Sequence, residues 1–326
     1  MPQLRQNIVT GEWVIIAPER SKRPSDFISA ETIKNDSKIN CPFCLNGPSY
    51  QRTRLKDFEN DFVYVFPNKY PAFVEDPKHC SNRSHRLEGG FYNVRPSSGG
   101  HDVLAIKDHD QQLFDFPLET WRDMLAMTKR RYQHWRQDCN TEYSMMIYNQ
   151  GVKAGASIDH PHAQIMASNI VPNHISKELA GAERYFTDSG GCVFCELIAH
   201  ELAEKTRLIE ENSNFVAITF YAARFPFEVW VLPKNHQAHF ETETDEIIES
   251  LSAIMKKVTT RLGGVLHRPA LNFFIHDLPT SIEQADYYHW HVEITPRVST
   301  YGGFELGSGT IIDIIAPEDA AEFLRE

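Results

Sequence analysis

The sequence lacks the features that direct a protein to a membrane, to the secretory route or to nucleic acid. It has no uninterrupted run of about 18 apolar residues, the length that a membrane-spanning helix needs. Its first residues contain no apolar segment of the kind found in signal peptides, so we expect a cytoplasmic protein. Lysine and arginine number 33 against 44 acidic residues, and the net charge of −11 argues against a protein that binds nucleic acid through a basic surface.

Cysteine is also scarce, with six residues in a chain of 326. A chain of this length can bury a large core without disulfide bonds, and its 41% hydrophobic and 24% charged residues are typical of a soluble globular protein. Four of the cysteines form two Cys-x-x-Cys pairs, which suit a reducing compartment if they bind metal as thiolates. We expect the other two, Cys80 and Cys139, to be ordinary thiols.

The same order of metal-binding residue types occurs twice along the chain. Each copy contains a Cys-x-x-Cys pair, a single histidine and then a His-x-His pair. The first copy consists of Cys41, Cys44, His109, His160 and His162, and the second of Cys192, Cys195, His236, His289 and His291. The single histidine precedes the pair by 51 residues in the first copy and by 53 in the second. The repeat predicts two related halves, residues 1–188 and 189–326, which meet where glycine and serine interrupt the pattern.

Each copy of the repeat lies in the same predicted order of structural elements. A strand precedes the single histidine, an amphipathic helix and a second strand follow it, and a third strand begins at the His-x-His pair. The predicted strands are 101–106, 143–148, 160–167, 227–232, 271–275 and 289–295, and the predicted helices are 118–135 and 247–262. We expect an α+β fold of mainly antiparallel sheets with packed helices. The sequence leaves open whether the two sheets merge into one.

Each copy also contains the ligands of a tetrahedral Cys₂His₂ metal site. We assign Cys41, Cys44, His109 and His160 to site one and Cys192, Cys195, His236 and His289 to site two. A single Cys-x-x-Cys could equally be a redox pair or two buried thiols, but the matched repeat favours metal. Because protein side chains fill all four positions, both sites are predicted to be structural, with zinc as the metal and iron as an alternative.

The two halves differ around the second histidine of the His-x-His pair. In the first half His162 follows a loop with Gly155 and Ser157 and precedes Gln164, whereas the surroundings of His291 have neither the Gly-x-Ser nor the glutamine. A rigidly held imidazole can attack phosphorus and form a covalent intermediate, and a glycine lets backbone amides approach phosphate oxygens. We therefore predict that His162 carries the chemistry and that His291 is a structural relic. The alternative for His162 is a buried core histidine.

Several segments resemble the galactose-1-phosphate uridylyltransferase family, a branch of the histidine-triad superfamily with two fused histidine-triad-like halves. The segment His160-Pro-His162-Ala-Gln164 is similar to the active-site motif of that family. Thr10–Trp13 with Ala17–Pro24 is similar to its N-terminal signature, and Phe66–Ala72 to its nucleotide-contacting segment. The resemblance extends over nearly the whole chain.

The resemblance implies a role for each residue that matches the family's motifs. His162 would take up the nucleotidyl group, and Gln164 would steady the phosphoryl oxygens of the intermediate. The other substrate contacts implied in this way are Arg20, Arg23, Asn68, Asn149, Gly155 and Ser157, of which Ser157 is grouped with the catalytic residues. The resemblance also implies a homodimer, a ping-pong mechanism and two substrates. These are a nucleotide sugar, UDP-glucose or ADP-glucose, and a sugar 1-phosphate or phosphate.

Gln164 and two departures from the family's best-known members bear on the reaction. Histidine-triad hydrolases have another histidine at the position of Gln164, where it can protonate a poor leaving group; glutamine cannot do so, which favours transfer over hydrolysis. The segment 301–310 and the second Cys pair resemble those of a divergent branch that includes archaeal-type uridylyltransferases and a plant ADP-glucose phosphorylase. We predict a UDP-glucose:hexose-1-phosphate uridylyltransferase. The alternatives are a nucleotide-sugar phosphorylase and a non-catalytic zinc-binding interaction protein.

Overall fold

The computed structural model describes residues 1–20, 38–75, 86–88 and 91–326. Its strands are β1 (Gln3–Gln6), β2 (Trp13–Ile16), β3 (Val63–Pro67), β4 (Arg86–Glu88), β5 (Tyr92–Val94), β6 (Gly99–Ile106), β7 (Tyr143–Gln150), β8 (His162–Ser168), β9 (Leu208–Glu211), β10 (Phe215–Thr219), β11 (Val229–Pro233), β12 (Leu271–His276), β13 (His291–Pro296) and β14 (Ile311–Asp313). Its α-helices are α1 (Pro48–Thr53), α2 (Leu118–Arg136), α3 (Asn173–Ser189), α4 (Val193–Glu204), α5 (Asp245–Val265), α6 (Gly303–Ser308) and α7 (Pro317–Arg325). Within these ranges, no helix has both the length and the apolar composition needed to cross a membrane.

A nine-stranded sheet forms the centre of the described chain, in the order β3-β6-β8-β7-β12-β13-β11-β10-β9. Its pairings are antiparallel, which confirms the predicted α+β fold with mainly antiparallel strands. The first four strands come from the first half of the chain, and the second half repeats their order as a mirror image. The two predicted sheets therefore merge into one, through the pairing of β7 with β12, where Asn149 lies opposite Asn272.

The strands that follow the metal-binding histidines begin later than the sequence pattern predicts. β8 begins at His162 and β13 at His291, so the first histidine of each pair precedes its strand. In the first half Pro161 has no backbone N–H to donate to a neighbouring strand, and its carbonyl oxygen accepts from the amide of Ile106 at 3.0 Å. His160 is consequently placed ahead of the hydrogen-bonded ladder, not within it.

The helices α2 and α5 coincide with the two predicted helices to within three residues and cover one face of the sheet. Thr244 caps the start of α5 by accepting a hydrogen bond from the amide of Ile247 at 3.4 Å. The buried residues of α5 recur at intervals of three and four, as a helix packed on a sheet requires. Ala163 and Ile165 of β8 point into this core. Because side chains alternate along a strand, His162 and Gln164 lie on the opposite face.

That opposite face is covered differently in the two halves. In the second half α4 and the segment around Val9 and Val14 pack against it in a second core cluster. In the first half a smaller cluster, which contains Cys41 and Phe43, covers only part of it. The face that carries His162 is therefore the more open of the two, since Gln164 remains only partly buried.

Asp313 of β14 supplies a test of the pH dependence of stability. Its side chain is fully buried, one oxygen accepts from the amide of Ile315 at 3.0 Å, and the other has no partner among the described residues. Burial raises the pKa of Asp313 to about 8, with the nearby Glu228 acting in the same direction and Arg5 in the opposite one. An unfolded aspartate has a pKa of about 3.9. The folded state thus holds the proton more tightly, and its contribution to stability is complete below about pH 4 and is lost as the pH rises towards 8.

Asp313→Asn is expected to remove this loss, because the amide is neutral at every pH. The free energy of unfolding of the variant should exceed that of the parent protein increasingly between about pH 5 and 8, by up to roughly 1.4 kcal/mol for each pH unit. Urea denaturation at pH 5 and pH 8 measures the difference, with Asp61→Asn at an exposed position as the control. An equal effect of Asp313→Asn at both pH values would contradict the assignment.

One cysteine differs from the expectation drawn from the sequence. Cys139 is disulfide-bonded, so the prediction of an ordinary thiol at that position is wrong. Cys80 lies outside the described residues. The other four cysteines are free thiols in the structure, as the predicted metal sites require.

Candidate active site and metal centres

The structure brings the four predicted ligands of site one together. Cys41 and Cys44 lie on the turn before α1, His109 follows β6, and His160 precedes β8. The Nδ1 atom of His160 is 3.4 Å from the sulfur of Cys41 and 3.8 Å from that of Cys44, and the sulfur of Cys44 is 3.3 Å from Nδ1 of His109. The two Nδ1 atoms are 3.0 Å apart.

Three of these four distances match the spacing of ligand atoms around a zinc ion, and the two Nδ1 atoms are slightly closer together. Zinc bonds of about 2.3 Å to sulfur and 2.0–2.1 Å to nitrogen place the ligand atoms of a tetrahedron about 3.3–3.8 Å apart. The Nε2 atom of His160 lies 2.6 Å from the carbonyl oxygen of Ile106 and donates to it. The proton is therefore on Nε2, and the lone pair of Nδ1 faces the two sulfurs, which is the usual arrangement of a metal-binding histidine.

Site two repeats this geometry. The sulfur of Cys195 lies 3.4 Å from Nδ1 of His236 and 3.7 Å from Nδ1 of His289, and Cys192 completes a set whose ligand atoms all lie within 4.8 Å of one another. Nε2 of His289 donates to the carbonyl of Pro233 at 2.8 Å, as His160 does in site one. Both clusters can hold a metal ion, and two thiolates with two imidazoles form a zinc donor set; nothing in either cluster favours iron.

Gly47 closes the turn of site one. Its amide donates to the carbonyl of Cys44 at 2.6 Å. A Cβ atom at this position would lie 2.5 Å from the carbonyl oxygen of Pro42 and 2.6 Å from that of Cys41. Any side chain there would have to displace the backbone that carries the cysteines.

Gly47→Ala is therefore expected to weaken metal binding at site one. We predict that the zinc content measured by plasma emission falls from two ions per chain towards one, with a free energy of unfolding lower by about 2 kcal/mol or more. Gly264→Ala is the matched control, because Gly264 lies in α5 with open space around it and alanine favours a helix. Two zinc ions in both variants would contradict the prediction.

His162, the predicted nucleophile, is buried and has only one of its two ring nitrogens hydrogen-bonded in the described part of the chain. Its ring is 8% exposed, and the ring of Phe43 meets it edge-on at a centroid distance of 5.1 Å. Nδ1 donates to the carbonyl oxygen of His160 at 2.7 Å, so the proton is on Nδ1 and Nε2 keeps its lone pair. Burial lowers the pKa of His162, which keeps the imidazole neutral at neutral pH. Nε2 has no hydrogen-bond partner in the described part of the chain.

Gln164 and Asn68 approach the same side chain. The Oε1 atom of Gln164 lies 2.8 Å from Nε2 of His101, and the amide nitrogen of Asn68 lies 3.2 Å from that Nε2. The other ring nitrogen of His101 accepts from the backbone amide of Ala72 at 3.1 Å. Two predicted substrate contacts from distant parts of the chain therefore meet at one histidine.

Asn149 is held from the second half of the chain. Asn272 of β12 donates to the side-chain oxygen of Asn149 at 2.8 Å and to the carbonyl oxygen of Ala154 at 2.7 Å. The pairing of β7 with β12 makes these contacts, which leaves the amide nitrogen of Asn149 available for a ligand. The merged sheet thus links the second half to the loop that precedes His162.

The loop with Gly155 and Ser157 follows β7 and lies at the surface. Gly155 has a φ angle of +88°, which favours glycine, and it ends a short 3₁₀ turn. Its amide donates to the carbonyl of Val152 at 2.9 Å, so this amide is used within the loop and is not directed at a phosphate. The side chain of Ser157 is exposed.

The side chains of the two arginines predicted to contact the substrate lie outside the described part of the chain. Arg20 ends a 3₁₀ turn, but its side chain, like the whole of Arg23, lies outside the described residues. The sequence reasoning missed His101 and Asn272, which contact predicted substrate-binding side chains. Neither stands in a recognisable motif.

The equivalent pocket of the second half is filled by protein side chains. His291 is fully buried, and its Nε2 lies 3.7 Å from Glu293. Glu293 forms an ion pair with Arg224 at 2.5 Å, and Glu178 of α3 reaches His276 at 3.0 Å. Buried charged side chains, including Glu178 of α3, therefore surround His291 among the described residues.

Comparisons with known proteins agree in family and fold. The family model described as galactose-1-phosphate uridyl transferase, N-terminal domain, matches residues 1–172, and the model for the C-terminal domain matches residues 178–326. An ADP-glucose phosphorylase of Arabidopsis thaliana is 34% identical over 333 residues, which cover 100% of this chain and 93% of the relative. A galactose-1-phosphate uridylyltransferase of Thermotoga maritima is 28% identical over 335 residues, which cover 100% and 98%. A crystal structure of an Arabidopsis thaliana ADP-glucose phosphorylase with bound ADP-glucose has a TM-score of 0.82 at 31% identity, and the match covers 100% of this chain and 99% of the other.

Proposed function

Because the chain belongs to the galactose-1-phosphate uridyl transferase family, we propose that it transfers a nucleotidyl group from a nucleotide sugar through a covalent intermediate on His162. The observation that carries this proposal is the state of the imidazole. Its Nδ1 proton is bonded to the carbonyl of His160, its Nε2 lone pair is unpartnered among the described residues, and burial disfavours protonation. His291, the counterpart in the second half, also has an Nε2 atom without a hydrogen bond, but that residue is fully buried and the atom lies 3.7 Å from the carboxylate of Glu293.

The proposed reaction has two steps: the nucleotidyl group is transferred to His162 in the first and from His162 to the acceptor in the second. In the first, Nε2 of His162 attacks the α-phosphorus of the nucleotide sugar. A nitrogen–phosphorus bond forms, the bond from phosphorus to the bridging oxygen breaks, and the sugar 1-phosphate leaves with that electron pair. In the second, an oxygen of a phosphate-bearing acceptor attacks the same phosphorus, and the electron pair of the nitrogen–phosphorus bond returns to Nε2. This is a ping-pong sequence.

The surrounding residues stabilise charge during both steps. The carbonyl oxygen of His160, which accepts a hydrogen bond from Nδ1 of His162 at 2.7 Å, stabilises the positive charge that develops on the imidazole. We propose that Gln164 donates its amide hydrogens to the phosphoryl oxygens and that Asn68, Asn149 and Ser157 contact the nucleotide and its phosphates. Zinc held by Cys41, Cys44, His109 and His160 would have a structural role, because it would hold in place the residue whose carbonyl orients His162.

Two acceptors are compatible with this site. Transfer to a hexose 1-phosphate would make the protein a UDP-glucose:hexose-1-phosphate uridylyltransferase, the activity named for the Thermotoga maritima relative. Transfer to phosphate would make it an ADP-glucose phosphorylase, and the 34% identity to the Arabidopsis thaliana enzyme of that name favours this second candidate. The two reactions share the first step and differ in the base and in the acceptor.

A product assay tests the proposal and separates the two candidates. UDP-glucose and ADP-glucose are each mixed with galactose 1-phosphate, with phosphate or with no acceptor, and the products are resolved by chromatography. UDP-galactose identifies the uridylyltransferase, and ADP formed only with phosphate identifies the phosphorylase. Peptide mapping of the sample without acceptor should locate the nucleotidyl group on His162. If neither nucleotide sugar reacts and calorimetry detects no nucleotide binding, the alternative of a non-catalytic zinc-binding protein would stand.

A homodimer is part of the proposal and rests on the family resemblance. The surface of α6 supplies apolar area for such a contact, since Phe304 is 52% and Leu306 is 75% exposed. Light scattering should then give a mass near twice the 37.5 kDa of one chain. A mass of one chain at micromolar concentration would exclude a stable dimer.

A further inference from the structure

We infer that His101 is a positioning residue that fixes which end of the Gln164 amide faces the reacting phosphate; this inference rests on the proposed function. His101 lies on β6 and is 7% exposed. It touches neither metal cluster and belongs to no motif in the sequence. Its ring nevertheless contacts Gln164 and Asn68, two residues that the proposed reaction requires.

The tautomer of His101 follows from its backbone partner. The amide of Ala72 is a hydrogen-bond donor and lies 3.1 Å from Nδ1, so Nδ1 must accept. A neutral imidazole with an accepting Nδ1 has its proton on Nε2. Nε2 can therefore only donate, and the atom 2.8 Å away must be the oxygen of Gln164, not its amide nitrogen.

This assignment orients the whole side chain of Gln164. A glutamine amide can present either its oxygen or its NH₂ group, and only the NH₂ group attracts a phosphoryl oxygen. Because the oxygen is bonded to His101, the NH₂ group is directed away from His101, on the face of β8 that also carries His162. No residue of the described chain competes for that group.

The amide of Asn68 has the same orientation, although it makes no hydrogen bond to His101, because its NH₂ group and the Nε2 proton are both donors. Its side-chain oxygen accepts from the amide of Tyr70 at 2.9 Å, which leaves its NH₂ group beside the imidazole edge of His101. The single Nε2 proton goes to the nearer oxygen, that of Gln164, so the hydrogens of Asn68 remain free for a ligand. Both amides around His101 thus have their oxygens occupied and present donors, which suits an anionic phosphate.

The role of His101 predicts different outcomes for two conservative variants. Asparagine can replace Nδ1 as the acceptor for Ala72 but cannot reach Gln164, whereas glutamine can place an NH₂ group near the position of Nε2. We expect His101→Asn to lower kcat roughly tenfold to a hundredfold with little change in KM, and His101→Gln to recover most of the loss. We expect kcat to change and KM to stay nearly constant, because the charge on the phosphoryl oxygens that Gln164 contacts is redistributed only in the transition state.

A double-mutant cycle with Gln164→Ala decides whether His101 acts through Gln164. If it does, adding His101→Asn to Gln164→Ala should produce no further loss of kcat. The inference would be overturned if the two losses of kcat multiplied in the double variant. It would also be overturned if His101→Asn were as active as the parent protein, or if His101→Asn and His101→Gln lost equal activity. Thermal unfolding of every variant identifies loss of folding, and His101→Gln then remains the informative comparison. The absence of a nucleotidyl adduct in the parent protein would contradict the proposed function. The double-mutant cycle tests the role of His101 separately.

Discussion

His162→Ala is expected to lower kcat/KM for nucleotidyl transfer by at least about a thousandfold, because the covalent route loses its nucleophile. Binding of the nucleotide sugar should change much less, since the amide side chains around the site remain. The variant should also form no nucleotidyl adduct when it is incubated with UDP-glucose or ADP-glucose. Stopped-time product assays and intact-protein mass spectrometry measure the two effects separately.

The second half of the chain supplies the matched control for this experiment. His291 is the counterpart of His162 in the mirrored sheet, and both lie two residues after a metal-site histidine. His291→Ala removes an imidazole that is even more deeply buried and should reduce stability, but the folded fraction should retain nucleotidyl transfer within about tenfold. Full activity in His162→Ala, or equal losses in the two variants, would show that the first half has no special role.

Loss of the site-one metal is expected to have the next largest effect. Cys44→Ala removes one of four ligands, and a structural zinc contributes roughly 10 kcal/mol or more to the folding of small zinc domains. In this larger protein we expect zinc content to fall to one ion per chain and the thermal midpoint to fall by at least about 10 °C. Transfer activity should be lost even at temperatures where the variant is folded, because the carbonyl of His160 no longer orients His162.

Cys195→Ala in site two separates the structural and catalytic consequences of metal loss. Its ligand geometry closely resembles that of site one, so its zinc content and thermal midpoint should fall by similar amounts. Its neighbouring histidine, His291, faces Glu293 and not a substrate, so the folded fraction should keep most of its activity. Activity that disappears equally in both variants would indicate that the two metals support the active site in the same way.

Much of the site could be predicted because its residues are close together in the chain or repeat. Spacing alone grouped Cys41, Cys44, His109 and His160, since a tight turn and two strand ends are the simplest way to assemble four ligands. Once the strand β8 is known, the alternation of side chains along it puts His162 and Gln164 on one face. The duplicated order predicted two related halves with comparable strands and helices, and the mirrored sheet has that form.

Other contacts depend on which strands are neighbours in the sheet. The hydrophobic periodicity of the sequence predicts where strands lie along the chain but not how they pair. Asn272 meets Asn149 only because β12 pairs with β7 in one register. Had the two sheets stayed separate, Asn272 would not have reached the loop of the first half. His101 meets Gln164 across β6 and β8 for the same reason.

The sequence by itself determined the type of fold, grouped the ligands of the two candidate metal sites and singled out His162 as the candidate nucleophile. These follow from residue chemistry and from local spacing. Only the tertiary structure decided that the two sheets are one and that α3 fills the second pocket with Glu178. It also decided that the amide of Gln164 is held by His101. The physical reason is that a hydrogen bond or an ion pair depends on distance in space, and residues 63 or 98 positions apart, as in these two contacts, are brought together only by the packing of the whole sheet.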